Sequence, residues 1–600
     1  MLPHYFKEHT KLCNYQAHKG EGRAVELEKL VYAYALKNAV KHGGKAKPGS
    51  VISMILADRP DLKPNAREIA RIARKVVEEV NRLSPEEQKR ILEEEYPWLL
   101  EEPRKEEAQE KGRLPPLPKA EKGRVVTRFA PNPDFVIHIG NARPAILSDE
   151  YAKMYNGKMV LRFEDTDPRT KRPMIEAYDL IKQDLKWLGV VWHEEHIQSK
   201  RLEIYYGIAR TLIEKGCAYV DTCGEKSREL LRAGRYCETR DYPPEWHLEQ
   251  FEKMLNGEYA EGQAVLRVKT DPNHPNPSVR DWVAIRIIDP YKYPHPIVGS
   301  KYWAWPTYNL AVSIDDHLLG ITHVLRGKEH QVNTEKQLYV YKCMGWEPPV
   351  FIHFGRLKLE GFIMSKSYIR KLIEENPGKF LGYDDPRFGT IAGLRRRGIT
   401  PEAIREVILE VGVKPGDAKL SWANLASVNR KILDSRADRI MFVREGSVRA
   451  VIDTKGSCID AMIPYHPERP RKRTIRVCHG DTVLVERKDL EAGEVRLIGL
   501  GNFRVELKDR STARLELLED SSLEYARRNK LRLVHWVPDK GKIPVEVLIP
   551  EGLELIVERG YAEPAISEYG VDSILQFMRY GFIRIDNITD GKYTVIFSHK

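Results

Sequence analysis

The stretch Arg128-Phe-Ala-Pro-Asn-Pro-Asp-Phe-Val-Ile-His138-Ile-Gly-Asn141 decides how the largest part of this chain folds. A β-branched run at 125–127 precedes it and a helical pattern begins at Asn141, so it predicts a strand, a turn and a helix N-terminus. Free N–H groups and the helix dipole attract an anion at such a point. Gly140 lets a ligand approach the backbone, and His138 adds a donor whose proton count changes near neutral pH. The stretch therefore predicts a phosphate-binding turn.

Short β-rich runs alternate with helices beyond residue 124. The runs lie at 125–127, 159–163 and 321–325, with helices expected near 141–156 and 173–188. This alternation predicts a Rossmann-like parallel sheet with ligands at the carboxyl ends of its strands. The sequence contains no Gly-x-Gly-x-x-Gly fingerprint, which argues against a dinucleotide site.

A second segment, Ile363-Met-Ser-Lys366-Ser367, places a lysine between two serines far downstream. Alone, such a segment is typical of a solvated loop. Paired with the phosphate-binding turn, it indicates that a nucleotide could be held from two sides.

The two segments resemble the HIGH and KMSKS motifs of class I aminoacyl-tRNA synthetases. Their surroundings resemble the glutamyl-tRNA synthetase family, particularly its archaeal type, in order from about residue 120 to the C-terminus. The further matching blocks are Leu161-Arg-Phe-Glu-Asp-Thr-Asp-Pro168, Trp305-Pro-Thr-Tyr-Asn-Leu-Ala311, Asp315-Asp-His-Leu-Leu-Gly-Ile-Thr-His-Val-Leu-Arg-Gly-Lys-Glu-His330 and Asp385-Pro-Arg-Phe-Gly-Thr-Ile-Ala-Gly-Leu-Arg-Arg-Arg-Gly-Ile399.

The resemblance implies ATP-dependent ligation of L-glutamate to tRNA(Glu) through a glutamyl-adenylate, with release of AMP and pyrophosphate. It implies catalysis by His138, Asn141 and Lys366, with Mg²⁺ carried by the ATP phosphates. Around ATP it places Pro131, Asn132, His138, Gly140, Asn141, Glu329, Ser365, Lys366 and Ser367. Around glutamate it places Arg128, Ala130, Glu164, Tyr308 and Arg326.

Three positions depart from the family pattern. Asn141 replaces the last histidine of HIGH, and its amide can still donate to phosphate. Ile363 replaces the first lysine of KMSKS, which removes one cation but leaves Lys366. Val312 stands where bacterial relatives have a pocket asparagine, so the substrate carboxylate could be held differently.

Arg326 distinguishes glutamate from glutamine as the substrate. A carboxylate entering a partly dry pocket needs a paired cation, and the arginine fork matches two oxygens. In glutaminyl enzymes an uncharged residue typically occupies this place. Two alternatives stay open: a glutaminyl-tRNA synthetase, and a catalytically inactive adaptor that only binds tRNA.

Charge and cysteine content set broader bounds. The formal net charge of +11 suits a polyanionic partner such as RNA. Basic runs at 394–398 and 469–474 offer places where an RNA backbone could be gripped. The seven cysteines have no regular spacing, which is typical of a reducing compartment. Buried cysteines are expected rather than a zinc site at Cys217, Cys223, Cys237 and His247, because no Cys-x-x-Cys pair occurs.

Five regions are predicted along this multidomain α/β plus all-β chain. Residues 1–100 form helices, including a Ser84-Pro-Glu-Glu87 capping box. Residues 101–123 form a charged, Pro-rich linker. A catalytic domain at 124–379, with an inserted acceptor-end lobe at 217–300, precedes a helical domain at 380–464 and anticodon-binding β-barrels at 465–600.

Partners and location complete the expectations. Without a membrane span or signal segment, we expect a cytoplasmic protein, and a monomer. Charging of tRNA(Gln) as well as tRNA(Glu) stays open. The N-terminal helices could dock a partner protein or touch tRNA.

Overall fold

The computed structural model describes residues 21–59, 62, 65–96, 99 and 114–600. The chain divides into two compact units, Met1–Lys111 and Gly112–Lys600. The first half of the predicted linker, together with Cys13, lies outside the described residues. No helix in the described ranges combines the length and apolarity needed to cross a membrane.

Unit 1 contains four described helices around a core that includes Val31, Ile55 and Val76. The predicted capping box is confirmed: the Glu87 N–H donates to the Ser84 hydroxyl (3.2 Å) and the Ser84 N–H donates to the Glu87 carboxylate (2.9 Å). The helices are α1 (Glu21–Lys41), α2 (Pro48–Asp58), α3 (Ala66–Val80) and α4 (Pro85–Glu95).

Unit 2 begins with the predicted parallel sheet. Strands β1 (Val126–Phe129), β2 (Lys158–Phe163) and β3 (Glu194–Ile197) pair in parallel. The parallel pair β8 (His323–Gly327) and β9 (Val350–Phe354) follows beside β1, where the Thr322 N–H donates to the Val126 carbonyl at 2.9 Å. Helices pack around these strands: α5 (Ile139–Met154), α6 (Ile175–Trp187), α7 (Leu202–Glu214), α10 (Tyr308–Leu318) and α11 (Gln331–Met344).

An antiparallel four-stranded sheet interrupts this alternation, as expected for an inserted lobe. It consists of β4 (Ala218–Asp221), β5 (Val265–Val268), β6 (Val283–Ile287) and β7 (Ala304–Pro306), with α8 (Lys226–Arg232) and α9 (Pro244–Leu255). The chain then passes through β10 (Leu357–Leu359), α12 (Lys366–Glu375), α13 (Ile391–Arg396), α14 (Pro401–Val411), β11 (Ala418–Leu420) and α15 (Trp422–Asp434).

The remaining chain forms two seven-stranded sheets and a hairpin. One sheet has the order β12-β25-β26-β27-β23-β24-β13 and the other β21-β18-β19-β20-β14-β17-β22. The strands are β12 (Arg439–Ile440), β13 (Phe442–Arg444), β14 (Val448–Asp453), β15 (Cys458–Pro464), β16 (Lys472–Cys478), β17 (Thr482–Val485), β18 (Glu494–Leu497), β19 (Gly501–Leu507), β20 (Thr512–Leu517), β21 (Arg532–Val534), β22 (Val537–Pro538), β23 (Ile543–Glu551), β24 (Glu554–Ala562), β25 (Ile574–Phe577), β26 (Gly581–Thr589) and β27 (Lys592–His599), with helix α16 (Leu523–Arg528).

Two predicted boundaries differ from the structure. The β region begins at Arg439 rather than 465, because the first two strands are too short to show alternation and pair with strands far downstream. The described second half of the linker is not solvated: Leu114 and Leu117 are buried in the core of the catalytic sheet. The Pro115 carbonyl there accepts a hydrogen bond from Tyr151 (2.9 Å).

The prediction of reduced cysteines is wrong. Three disulfides join Cys217 to Cys343, Cys223 to Cys237 and Cys458 to Cys478. The first spans 126 residues, so its partners become neighbours only through the fold. Disulfides of this kind also occur inside the cells of hyperthermophiles, so they do not by themselves fix a compartment.

Candidate active site

A cleft of about 1340 Å³ lies at the carboxyl ends of the parallel strands and the N-terminus of α5. It brings together every residue expected around ATP and glutamate except Ser367. The lining residues from those two sets are Arg128, Ala130, Pro131, Asn132, His138, Gly140, Asn141, Glu164, Tyr308, Arg326, Glu329, Ser365 and Lys366.

His138 and Asn141 cap α5 reciprocally. The Asn141 N–H donates to the His138 Nδ1 and the His138 N–H donates to the Asn141 Oδ1, both at 3.3 Å. Burial, helped by the nearby Lys366 charge, lowers the pKa of His138 to about 4. The expectation that its proton count changes near neutral pH is therefore wrong. The imidazole is neutral at pH 7, and its Nε2–H remains available to donate to a phosphate.

Gly140 is required by its protein neighbours. A Cβ there would lie 2.9 Å from the His138 ring and 3.2 Å from the Leu357 carbonyl oxygen. Any larger residue would push the capping histidine out of place.

One residue, Gly389, links the two segments predicted to bind phosphate. The Gly389 N–H donates to the Ile363 carbonyl (2.9 Å), and the Gly389 carbonyl accepts from the Ile139 N–H (3.1 Å). The second segment is thereby held against the N-terminus of α5. A role for Gly389 was not predicted, although its sequence block was noted for resemblance.

Lys366 points toward the turn that precedes α5. Its Nζ lies 2.8 Å from the Asp134 carboxylate, and Arg370 donates to the Asp134 carbonyl (2.7 Å). Sequence reasoning missed Asp134, because Lys366 and Arg370 lie more than 230 positions away in sequence. In this structure, the Lys366 charge is neutralised by the Asp134 carboxylate.

Arg326, on β8, is a buried cation without an acidic partner among the described residues. Its guanidinium donates only to neutral oxygens: those of Tyr308 (3.3 Å), Thr334 (2.6 Å) and Gln337 (2.9 Å). Its Nε has no partner at all in the described structure. Because a buried charge is costly unless compensated, this arginine favours an anionic ligand.

A second set of charges lies beside it and is internally paired. Asp316 accepts from Arg162 (2.7 Å) and from Arg128 (3.4 Å), while Arg162 also donates to Glu164 (3.0 Å). Burial raises the pKa of Glu164 despite these arginines, and a bound ammonium would lower it again. The Nη2 of Arg128 is left without a partner. Roles for Arg162 and Asp316 were not predicted from the sequence, where both residues appear only within blocks that resemble the family.

Other predicted positions behave differently. Glu329 lies 3.7 Å from Arg356, and both residues line the cleft. Val312 is fully buried in α10 and presents no polar group. Ser367 contacts Ser365, hydroxyl to hydroxyl, at 3.3 Å.

The basic runs expected to grip RNA are largely committed to protein contacts. Arg396 pairs with Asp384 and Asp586, and Arg397 is buried over the Trp422 ring. In the second run, acids engage Arg469, Arg471 and Arg473. Arg469 and Arg471 nevertheless stay exposed at the surface, so the expectation that these runs contact RNA stays a prediction.

Among the described residues, one group of three possible metal ligands lies close together. Asp221, Cys223 and Cys237 place ligand atoms within 4.8 Å of one another, but the two cysteines are bonded to each other. His247, also considered for zinc, uses its Nδ1 to accept from the Val220 N–H (3.1 Å).

Models of protein families match three consecutive parts of unit 2. The catalytic domain of class I tRNA synthetases (E and Q) matches residues 124–435. Two models of anticodon-binding domains from the same class match residues 437–518 and 533–586. The first of these begins close to the observed start of the β region.

Similar whole proteins are glutamate-tRNA ligases. That of Aeropyrum pernix is 64% identical over 579 residues, which cover 96% of this chain and 99% of that protein. That of Hyperthermus butylicus is 53% identical, covering 92% and 97%. That of Pyrococcus furiosus is 52% identical, covering 96% and 100%.

Proposed function

The chain belongs to the class I tRNA synthetases for glutamate and glutamine, and from this premise we propose that it ligates L-glutamate to tRNA(Glu) at the expense of ATP. The relatives that support this are named for glutamate. ATP use follows from the family.

Arg326 is the observation that carries the choice of amino acid. It is buried, its three hydrogen-bond acceptors are all neutral, and its Nε is unpartnered in the described structure. A glutamate side chain would supply the missing negative charge, whereas glutamine would leave the cation uncompensated. Arg128, with its own free Nη2, would be the second cation at that carboxylate.

The substrate ammonium would lie at Glu164, which is held by Arg162 on one side. Tyr308 would contact the amino acid by its hydroxyl, next to Arg326. Ala130 contributes backbone at the end of β1, where it lines the same cleft.

Adenylate formation would then need positive charge where the phosphate negative charge builds up. We assign this to the His138 Nε2–H, the Asn141 amide and the N-terminus of α5 on one side, with Lys366 on the other. Pro131, Asn132, Gly140, Glu329, Ser365 and Ser367 would shape the ATP site. Mg²⁺ would be bound mainly by phosphates and water, for which no protein ligand is assigned.

The glutamyl group would pass from the adenylate to the terminal adenosine of tRNA. We further propose a cytoplasmic monomer, because ATP and tRNA are found there and one chain carries the whole cleft. The β region from Arg439 onward would read the anticodon, in keeping with the matched domain models.

Pyrophosphate exchange, with tRNA present, tests the proposal. Parallel assays with glutamate and glutamine should give exchange with glutamate only. Exchange with glutamine alone would identify a glutaminyl enzyme, and tRNA binding without exchange would identify an inactive adaptor. Charging of purified tRNA(Glu) and tRNA(Gln) with glutamate would decide the tRNA specificity.

A further inference from the structure

Four lysines crowd one end of unit 1. Lys37 and Lys41 lie near the end of α1, and Lys45 and Lys47 lie in the connection to α2. We call residues 37–47 the lysine loop. The sequence from residue 30 to residue 57 contains no aspartate or glutamate. This stretch of sequence therefore carries only positive charges, and the nearest acids in the fold are Glu86 and Glu87 at the start of α4, whose Pro85 and Gln88 lie against Gly44.

These lysines differ from others on the same unit. Lys75 lies 3.6 Å from Glu28, and Lys89 lies 3.8 Å from Glu93. In the part of the chain that the structure describes, Lys45 and Lys47 have no carboxylate within 4 Å and are solvent-exposed. The lysine loop thus contrasts with the arginine runs of unit 2, most of whose described arginines form ion pairs with carboxylates.

The backbone of the lysine loop is held by the side-chain amides of buried Asn38 and Gln88 and half-buried Asn81. Asn81 accepts from the Ala46 N–H (2.7 Å) and donates to the Ala46 carbonyl (3.0 Å). Asn38 accepts from the Lys47 N–H (3.0 Å), and Gln88 donates to the Gly44 carbonyl (3.0 Å). Ala46 is buried while its two neighbours are exposed, so Lys45 and Lys47 are both presented to solvent from a fixed backbone.

We propose that the lysine loop binds the phosphate backbone of the tRNA that the enzyme charges. Fixed, uncompensated ammonium groups suit phosphates, because binding releases counterions without first breaking protein ion pairs. This inference rests on the proposed function for the identity of the RNA. It gives unit 1 a role in tRNA affinity outside the catalytic cleft.

The surroundings of the lysine loop favour RNA over a protein partner. Protein interfaces are built around buried aromatic and apolar anchors and are depleted in lysine. None of the large hydrophobic side chains found exposed in the structure belongs to the described residues of unit 1. Backbone recognition by point charges needs no such anchor.

The test compares two double variants of the full-length protein. Lys45→Gln with Lys47→Gln removes two charges of the lysine loop. Lys75→Gln with Lys89→Gln removes two lysines of the same unit that are paired with acids. For each protein, the Kd for tRNA(Glu) is titrated from about 50 to 200 mM salt, and the KM values for tRNA, glutamate and ATP are measured.

The loop variant should bind tRNA more weakly at low salt, with the slope of log K against log salt reduced by about 2. Its disadvantage relative to wild type should shrink roughly tenfold across that salt range. KM for glutamate and for ATP should stay unchanged, and the control variant should match wild type.

Equal tRNA affinity and salt slope in the two variants would overturn the inference. The inference would also be overturned if the loop variant kept its tRNA affinity but lost binding to another protein. Failure of the proposed function is separate, because it would appear as absent glutamate-dependent exchange in the wild type.

Discussion

Replacing Arg326 by glutamine should separate substrate recognition from stability. The guanidinium donates to Tyr308, Thr334 and Gln337, and no carboxylate among the described residues forms an ion pair with it, although its charge helps to lower the pKa of the neighbouring Asp316. Removing it leaves no protein anion unpaired. The free energy of unfolding should therefore stay constant or rise slightly.

The substrate, in contrast, loses its buried partner. Removing one member of a buried charge pair costs about 3–5 kcal/mol. The kcat/KM for glutamate should then fall by about two to nearly four orders of magnitude, since 1.36 kcal/mol corresponds to a factor of ten. Glutamine, which is neutral, should lose far less, so the discrimination between the two amino acids should narrow.

Arg162→Gln is the matched comparison. Arg162 is buried, as Arg326 is, but it contacts Asp316 and Glu164. Its loss strands these carboxylates and should destabilise unit 2 by about 3–5 kcal/mol. Steady-state kinetics with both amino acids and urea unfolding monitor the two variants. If Arg326→Gln keeps glutamate kcat/KM within threefold of wild type, or behaves like Arg162→Gln in unfolding, the assignment of Arg326 is refuted.

Four further outcomes follow from the site and the fold. Lys366→Ala should slow glutamate-dependent pyrophosphate exchange about a hundredfold or more. The control is Lys371→Ala, which removes a lysine 3.7 Å from the exposed Glu375 and should leave exchange unchanged. Near-normal exchange in Lys366→Ala would contradict the role of Lys366. Asp134→Asn frees that lysine from its 2.8 Å ion pair and should lower KM for ATP several-fold, and a raised KM would count against the competition. Burial lowers the pKa of His138 and of His247 to about 4, so these histidines take up protons in the unfolded chain before they do so in the folded protein. Their contribution to the free energy of unfolding is therefore complete above pH 6.5 and falls by up to about 2 kcal/mol per histidine at pH 5. Urea unfolding at pH 7 and at pH 5 measures this difference. Cys343→Ser opens a 126-residue loop and should lower unfolding stability by about 3–5 kcal/mol in the chain-entropy model, with calorimetry under reducing and non-reducing conditions as the check.

Local features were predictable from the sequence. The strand, turn and helix around His138, the parallel sheet and the capping box at Ser84 all arise from neighbouring residues, and the structure reproduces them. The amino-acid and ATP residues were placed by resemblance, and the cleft does bring nearly all of them together.

Long-range features could not be predicted in this way. Asp316 serves two arginines that lie more than 150 positions away in sequence, and the Cys217–Cys343 pair is similarly distant. The arginine runs looked free because the acids that neutralise them, such as Asp586, come from other elements. In each case, charge or chemistry was visible in the sequence but its partner was not.

The backbone of Gly389 has a mechanical consequence for any movement driven by a nucleotide. Its N–H and its carbonyl oxygen are both hydrogen-bonded, one to each segment proposed to face the phosphates. A shift of the loop around Ile363 must therefore either move the start of α5 with it or break one of these two hydrogen bonds. If the loop closes over ATP in the proposed reaction, these two hydrogen bonds would couple that closure to the alignment of α5.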